Sequence, residues 1–214
     1  MREAWAAILL VTTAVLAGCI GGEVPEDGER IEATAFGLES ALDTVREGTT
    51  LAQAPQWAIG EWWTYSFEQV PSGTEETFTI VVAGAEPGNY LVGLPAEEVP
   101  IMPFIFHLPG VGQVRMTDLA YEAHDEPFEL LKFPLEEGVS WDGVYWASAP
   151  MTVSVDRVEG STAELTLASG DQEHALTYDA EVGYLTHYRI PAQGELEVEL
   201  ELVDHGFGYE GDVM

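Results

Sequence analysis

The sequence predicts an all-β protein: a single antiparallel meander forming a curved sheet, a sandwich or a partly open barrel, preceded by a signal peptide and an acidic tether. Three observations lead there. From Trp57 onward, short runs of alternating apolar and polar residues recur, separated by turns rich in Gly and Pro. No helical segment lies between consecutive runs, which argues against a parallel β-α-β architecture. Finally, 214 residues with 46% apolar and 10% aromatic side chains supply a core for one domain with a tail to spare.

The first twenty residues do not belong to that domain. Arg2, diluted by Glu3, precedes the uncharged and mostly apolar stretch Ala6 to Leu16. This stretch is shorter than the about 20 residues a membrane-spanning helix needs, and it fits the hydrophobic core of a secretory signal. Leu16, Ala17, Gly18 and Cys19 follow at once, and Cys19 is the sole cysteine, so the chain forms no intrachain disulfide and no cysteine metal cluster. Leu-Ala-Gly-Cys resembles the lipobox of exported lipoproteins. The resemblance implies cleavage of residues 1–18 and lipid attachment at the Cys19 thiol, where small residues let the chain lie extended in a processing site. The competing reading is an ordinary core cysteine after a buried apolar helix. Under the first reading the partner is membrane lipid, and two hydrocarbon chains, at about 0.8 kcal/mol per buried CH₂, hold the protein where one does not.

Residues 19–55 read as the lipidated N-terminus and a flexible acidic tether. Gly21, Gly22, Pro25 and Gly28 punctuate its start. Within it, residues 31–46 place Leu38, Leu42 and Val45 at i, i+4 and i+7, the spacing of a short amphipathic helix. Gly37 weakens that helix by about 1 kcal/mol relative to Ala. The β domain is expected over residues 56–205, with 206–214 as a C-terminal tail.

Within the domain, strands are expected over Trp62–Phe67, Thr77–Val82, Asn89–Leu94, Val114–Leu119 and Pro127–Phe133. Five more follow at Met151–Val158, Ala163–Ala168, His174–Asp179, Gly183–Ile190 and Glu195–Val203. The last is the clearest. Leu196, Val198, Leu200 and Leu202 alternate with Glu195, Glu197, Glu199 and Glu201, so one face is dry and the other wet. A one-residue slip would bury four glutamates, which pins the register.

The charge balance narrows function further. Seven Lys and Arg stand against 38 Asp and Glu, a formal net charge of −31, and Lys132 is the only lysine. Such a chain repels phosphate backbones, so a basic nucleic-acid groove is excluded. Lysine depletion with abundant carboxylates suits concentrated salt, where the Debye length shrinks to about 3 Å at 1 M, and resembles the composition of a salt-adapted archaeal protein. A cation-binding surface is the alternative.

Sequence signals for catalysis are sparse. The histidines His107, His124, His174, His187 and His205 show no helical zinc spacing and no His-Glu-x-x-His. There is no Gly-x-Ser-x-Gly elbow, no phosphate-binding glycine loop and no free thiol once Cys19 carries lipid. No catalytic residue, metal ligand or cofactor is therefore assigned. The aromatic residues are more informative. Trp57, Trp62, Trp63, Tyr65 and Phe67 cluster at the opening strand, Trp141, Tyr145 and Trp146 cluster later, and Phe104 and Phe106 lie in the apolar run Ile101 to Leu108. Such residues either fill the sheet core or line an apolar site.

Three motifs carry a wider resemblance: Gly60-Glu61-Trp62-Trp63-Thr64-Tyr65, Phe133-Pro134-Leu135 through Trp141, and Tyr178-Asp179 through Leu185. Together, over about residues 57 to 204, they resemble a group of exported β-rich domains carried on archaeal and bacterial lipoproteins. That resemblance implies a fold and a location, and transfers no catalytic residue. The expectation is a membrane-anchored, extracytoplasmic, non-enzymatic binding or envelope-interaction module. Trp62 or Trp63, Phe104, Phe106 and Trp141 are its candidate site for an apolar or lipid-like small molecule or an envelope protein. A hydrolase built on His124, His174 or His187 with a carboxylate is the alternative, and a purely structural surface protein the third.

Overall fold

The computed structural model describes residues 50–70, 74–96, 111–123, 126–146, 149–190 and 197–214. The lipobox residues Leu16 to Cys19, the helix expected at 31–46, Phe104, Phe106 and His124 lie outside them. Among the described residues the protein is all-β, in one antiparallel sheet of twelve strands. The strands are β1 (Trp62–Val70), β2 (Thr74–Glu86), β3 (Asn89–Gly93), β4 (Gly112–Arg115), β5 (Tyr121–Ala123) and β6 (Glu126–Phe128). The second half comprises β7 (Ser140–Trp146), β8 (Ala149–Glu159), β9 (Thr162–Ser169), β10 (Gln172–Asp179), β11 (Tyr184–Ile190) and β12 (Glu197–Gly206).

Each strand pairs with its neighbour in sequence, with two exceptions. β1 pairs with β12, Trp62 opposite Gly206 and Val70 opposite Glu197, and β6 and β7 are the two ends of an open sheet. The period-two pattern explains which face is dry. Trp63, Tyr65 and Phe67 of β1, Phe78, Ile80 and Val82 of β2, Val153 and Val155 of β8, Leu165 and Leu167 of β9, and Val198 and Leu200 of β12 are all buried in one contiguous core. Glu68, Glu164 and Glu201 face solvent. No helix covers the dry face among the described residues, so the sheet covers it by curling on itself. Five bulges provide curvature, at Val203, Ala83, Thr186, Gly143 and Asp156, each an extra residue on one strand of a pair. The curl brings the two ends together: Trp141 at the start of β7 donates its indole N–H to the carbonyl of Glu129, just past β6, at 2.9 Å.

The segment joining those ends also fills the interior. Leu130, Leu131 and Leu135 are 1–2% exposed. The strand expected over Pro127–Phe133 stops at Phe128, and Leu130 and Leu131 are buried in the irregular segment that follows. The strand expected at Val114–Leu119 ends at Arg115 for a different reason. Asp118 accepts hydrogen bonds from the Arg115 Nε–H and the Ala120 N–H, and Leu119 takes φ 58°, so the chain turns into β5.

Both flanks of the domain are fastened. The described chain begins in the expected tether, where the Leu51 carbonyl accepts the Leu135 N–H at 2.7 Å and Pro55 is buried. The residues expected as a tail fold back. Tyr209 N–H bonds the Gly60 carbonyl, and Asp212 to Met214 pair with Leu94 to Ala96.

Candidate functional site

The densest chemistry of the interior is an aromatic cage at the start of β1. Trp63, fully buried on β1, and Tyr184, at the start of β11, have ring centroids 5.1 Å apart. Tyr90 on β3 completes the wall. Trp57, which is not on a strand, inserts among them: its ring lies 5.1 Å from Trp63, 5.2 Å from Tyr90 and 5.3 Å, edge-on, from Tyr184. Two hydrogen bonds hold it. Its N–H donates to the Tyr90 hydroxyl and its indole N–H to the Gly183 carbonyl, each at 2.9 Å. Tyr65 and Phe78 stack next in the row at 5.6 Å, and the Tyr65 hydroxyl donates to the Leu185 carbonyl at 2.7 Å.

The Tyr184 hydroxyl is the exception in this network. It is buried, yet it has no hydrogen-bond partner among the described residues. A buried hydroxyl without a partner costs about 1–3 kcal/mol, which marks the spot as one where a polar atom of water or ligand would be welcome. Burial raises the Tyr184 phenol far above its ordinary range, and burial together with the adjacent Tyr184 raises Tyr65, so both stay neutral.

The candidate residues separate. Trp63 and Trp141 (7% exposed) are core residues, Trp63 inside the cage and Trp141 at the junction of the two sheet ends. Trp62 points to the opposite face, where its ring lies over Gly206 so closely that a β-carbon there would fall 2.9 Å from it. Adjacent in one strand, Trp62 and Trp63 line different surfaces. The cage members missed by pattern reading, Tyr90 and Tyr184, lie on strands whose sequence marks them only as apolar alternation.

The histidines also separate. His174 is buried on the inner face of β10, its Nδ1 3.1 Å from the Tyr188 hydroxyl, and burial pulls its pKa down to about 4. His187 meets an acid, with Nε2 2.8 Å from Glu199 Oε1, on the half-exposed outer face of β11 and β12. No hydroxyl nucleophile joins that pair among the described residues. Ser66, one strand away, donates to the Glu201 carbonyl instead, at 3.4 Å. No cluster of three or more His, Cys, Asp or Glu side chains among the described residues is placed to hold a metal ion, and none of the described residues forms a helix long and apolar enough to cross a membrane. A hollow of about 180 Å³ between Arg157, Glu159, Thr162 and Glu164 is filled electrostatically by its own arginine, which pairs with both glutamates.

On the outer face of β7, β8 and β9, Thr152 donates to Asp142 (2.6 Å), while Ser154 (2.8 Å) and Thr166 (2.5 Å) donate to Asp156. With so few cations in the chain, hydroxyls take over as partners for these carboxylates. Comparison with protein-family models and with curated proteins yields no match to this chain.

Proposed function

We propose that the protein is an extracytoplasmic lipoprotein, held on the membrane through lipid on Cys19, whose β domain binds an apolar molecule without chemically transforming it. The observation that carries the binding half is the open sheet. Its inner face is lined with aromatic rings, and its two end strands, β6 and β7, share no ladder, meeting instead through the Trp141–Glu129 hydrogen bond. Parting that junction costs few backbone hydrogen bonds, so an apolar molecule has a route to the interior. The anchoring half is supported by the sequence alone. The apolar run ends in Leu-Ala-Gly-Cys, and a body of formal charge −31 needs a covalent anchor to stay near an anionic surface. Its acidity fits a salt-adapted, archaeal-type exported protein.

Mass spectrometry of the protein extracted from its native membrane tests both halves. The expected result is a chain beginning at Cys19 with a lipid mass on it, lost in Cys19→Ser, and a retained apolar molecule under native conditions. An uncleaved, unmodified chain recovered from the cytosol would overturn the anchoring. A folded, membrane-derived domain that never carries an apolar molecule, and takes up none when one is offered, would overturn the binding.

A further inference from the structure

Trp57 is the one member of the aromatic cage that the sheet does not carry. Among the described residues, no ladder hydrogen bond ties residues 51–57 to a strand. Their ties are the Leu51 carbonyl to Leu135 N–H, in the segment between β6 and β7, and the two bonds from Trp57 to Tyr90 and Gly183. Between those ties Ala52, Gln53 and Gln56 are exposed, while Pro55 is buried and Leu51 and Ala54 pack against the core. Behind Trp57 comes a built turn. The Ala58 carbonyl accepts the Glu61 N–H, the Glu61 carboxylate accepts the Ala58 N–H at 2.9 Å, and Gly60 sits at φ 82°, a conformation that favours glycine. Beyond the turn the sheet begins. A bulky ring at the end of a segment that no strand ladder holds, joined through a turn to the sheet, is a plug.

We propose, resting on the binding reading above, that Trp57 is the resting occupant of the ligand site, and that the ligand is a planar aromatic molecule bearing a ring N–H, of the indole class. The cage specifies that class. When Trp57 swings out, the walls that remain are the rings of Trp63, Tyr90 and Tyr184, which select a flat aromatic guest. The Gly183 carbonyl is left needing a donor, a demand the Trp57 indole now meets. The Tyr90 hydroxyl loses the donor it now accepts. The Tyr184 hydroxyl, already without a partner among the described residues, offers a further polar contact that the plug does not use. A ligand that donates to the Gly183 carbonyl and also meets the Tyr184 hydroxyl makes two hydrogen bonds, as Trp57 does, and its second one satisfies a buried hydroxyl that the plug leaves without a partner among the described residues.

Hydrogen exchange on the wild-type protein tests this, with indole as the probe. The expected result is that the Trp57 amide and indole N–H exchange through a local opening, at least about 100-fold faster than the Tyr65 amide in β1, and that indole speeds this exchange further as it traps the open state. In Trp57→Ala, indole at about 100 times its Kd should raise the unfolding midpoint by about 5 °C or more through its N–H on the Gly183 carbonyl. If Trp57→Ala does not fold, the wild-type exchange decides alone. Trp57 protons that exchange only with global unfolding, or that ignore indole, overturn the plug. An apolar molecule retained by wild-type protein whose Trp57 stays protected overturns the plug and leaves the binding reading standing.

Discussion

Acidification between pH 6.5 and pH 4 should remove about 3 kcal/mol of stability through one side chain, His174. It is 2% exposed on the inner face of β10, opposite Leu167 of β9 and bonded to the Tyr188 hydroxyl of β11. Burial opposes its charging and lowers its pKa from 6.5 to about 4. Each unit of such a shift corresponds to about 1.4 kcal/mol, which sets the magnitude. The sign follows from proton counting. Between the two pKa values the unfolded chain binds a proton that the folded one refuses, so acid favours unfolding. The contribution is fully present above pH 6.5, is lost as the pH falls through the folded pKa near 4, and is flat below it. Urea unfolding in concentrated potassium chloride, for wild type and His174→Asn across this range, isolates the effect. The asparagine amide lies as far from the backbone as the Nδ1 that meets the Tyr188 hydroxyl but does not titrate, and carboxylate titration is common to both proteins and cancels. The wild-type stability, taken relative to the variant, should fall by about 3 kcal/mol from pH 6.5 to 4 at constant m-value. Parallel curves for the two proteins would refute the reasoning.

Further outcomes follow from other contacts. Trp141→Phe deletes the hydrogen bond that joins the two ends of the sheet and should cost about 1–2 kcal/mol, read by denaturation, with faster hydrogen exchange at Leu130 and Leu131. Gly93→Ala places a β-carbon 2.3 Å from the Met214 carbonyl oxygen and 2.6 Å from Val213, which should detach the C-terminal residues. The expected cost is about 1–3 kcal/mol, with Asp212 to Met214 becoming open to carboxypeptidase trimming. Removing salt should lower the melting midpoint by several degrees as the excess of carboxylates loses its screening, measured by calorimetry over a potassium chloride series.

The parts of the fold legible in the sequence are those with unbroken period two. β9 and β10 alternate cleanly around glycine turns, and Val198, Glu199, Leu200 and Glu201 of β12 stand on the two faces that alternation assigns them. β7 was hidden because a bulge at Gly143 breaks the alternation, so its aromatic residues read as a cluster rather than as a strand. β5 and β6, three residues each, are too short to establish a period. The pairing of β1 with β12 joins strands from opposite ends of the domain's sequence, which no local pattern encodes. The cage was half visible. Its tryptophans stood out by composition, but Tyr90 and Tyr184 come from strands far apart in sequence, and whether the Tyr184 hydroxyl finds a partner depends on three-dimensional placement alone.

That β1–β12 pairing governs how the domain can assemble. Strands β1 to β6 and β7 to β12 are each chains of nearest neighbours, able to zip hairpin by hairpin, whereas the contact between the first and last strands spans nearly the whole domain. Contacts of that separation carry the largest loop-closure cost and slow folding. A polypeptide emerging N-terminus first leaves one flank of Trp62–Val70 bare until Glu197–Gly206 arrives, so the adhesive edge of the nascent domain is its earliest strand, and its protection is the last to be made.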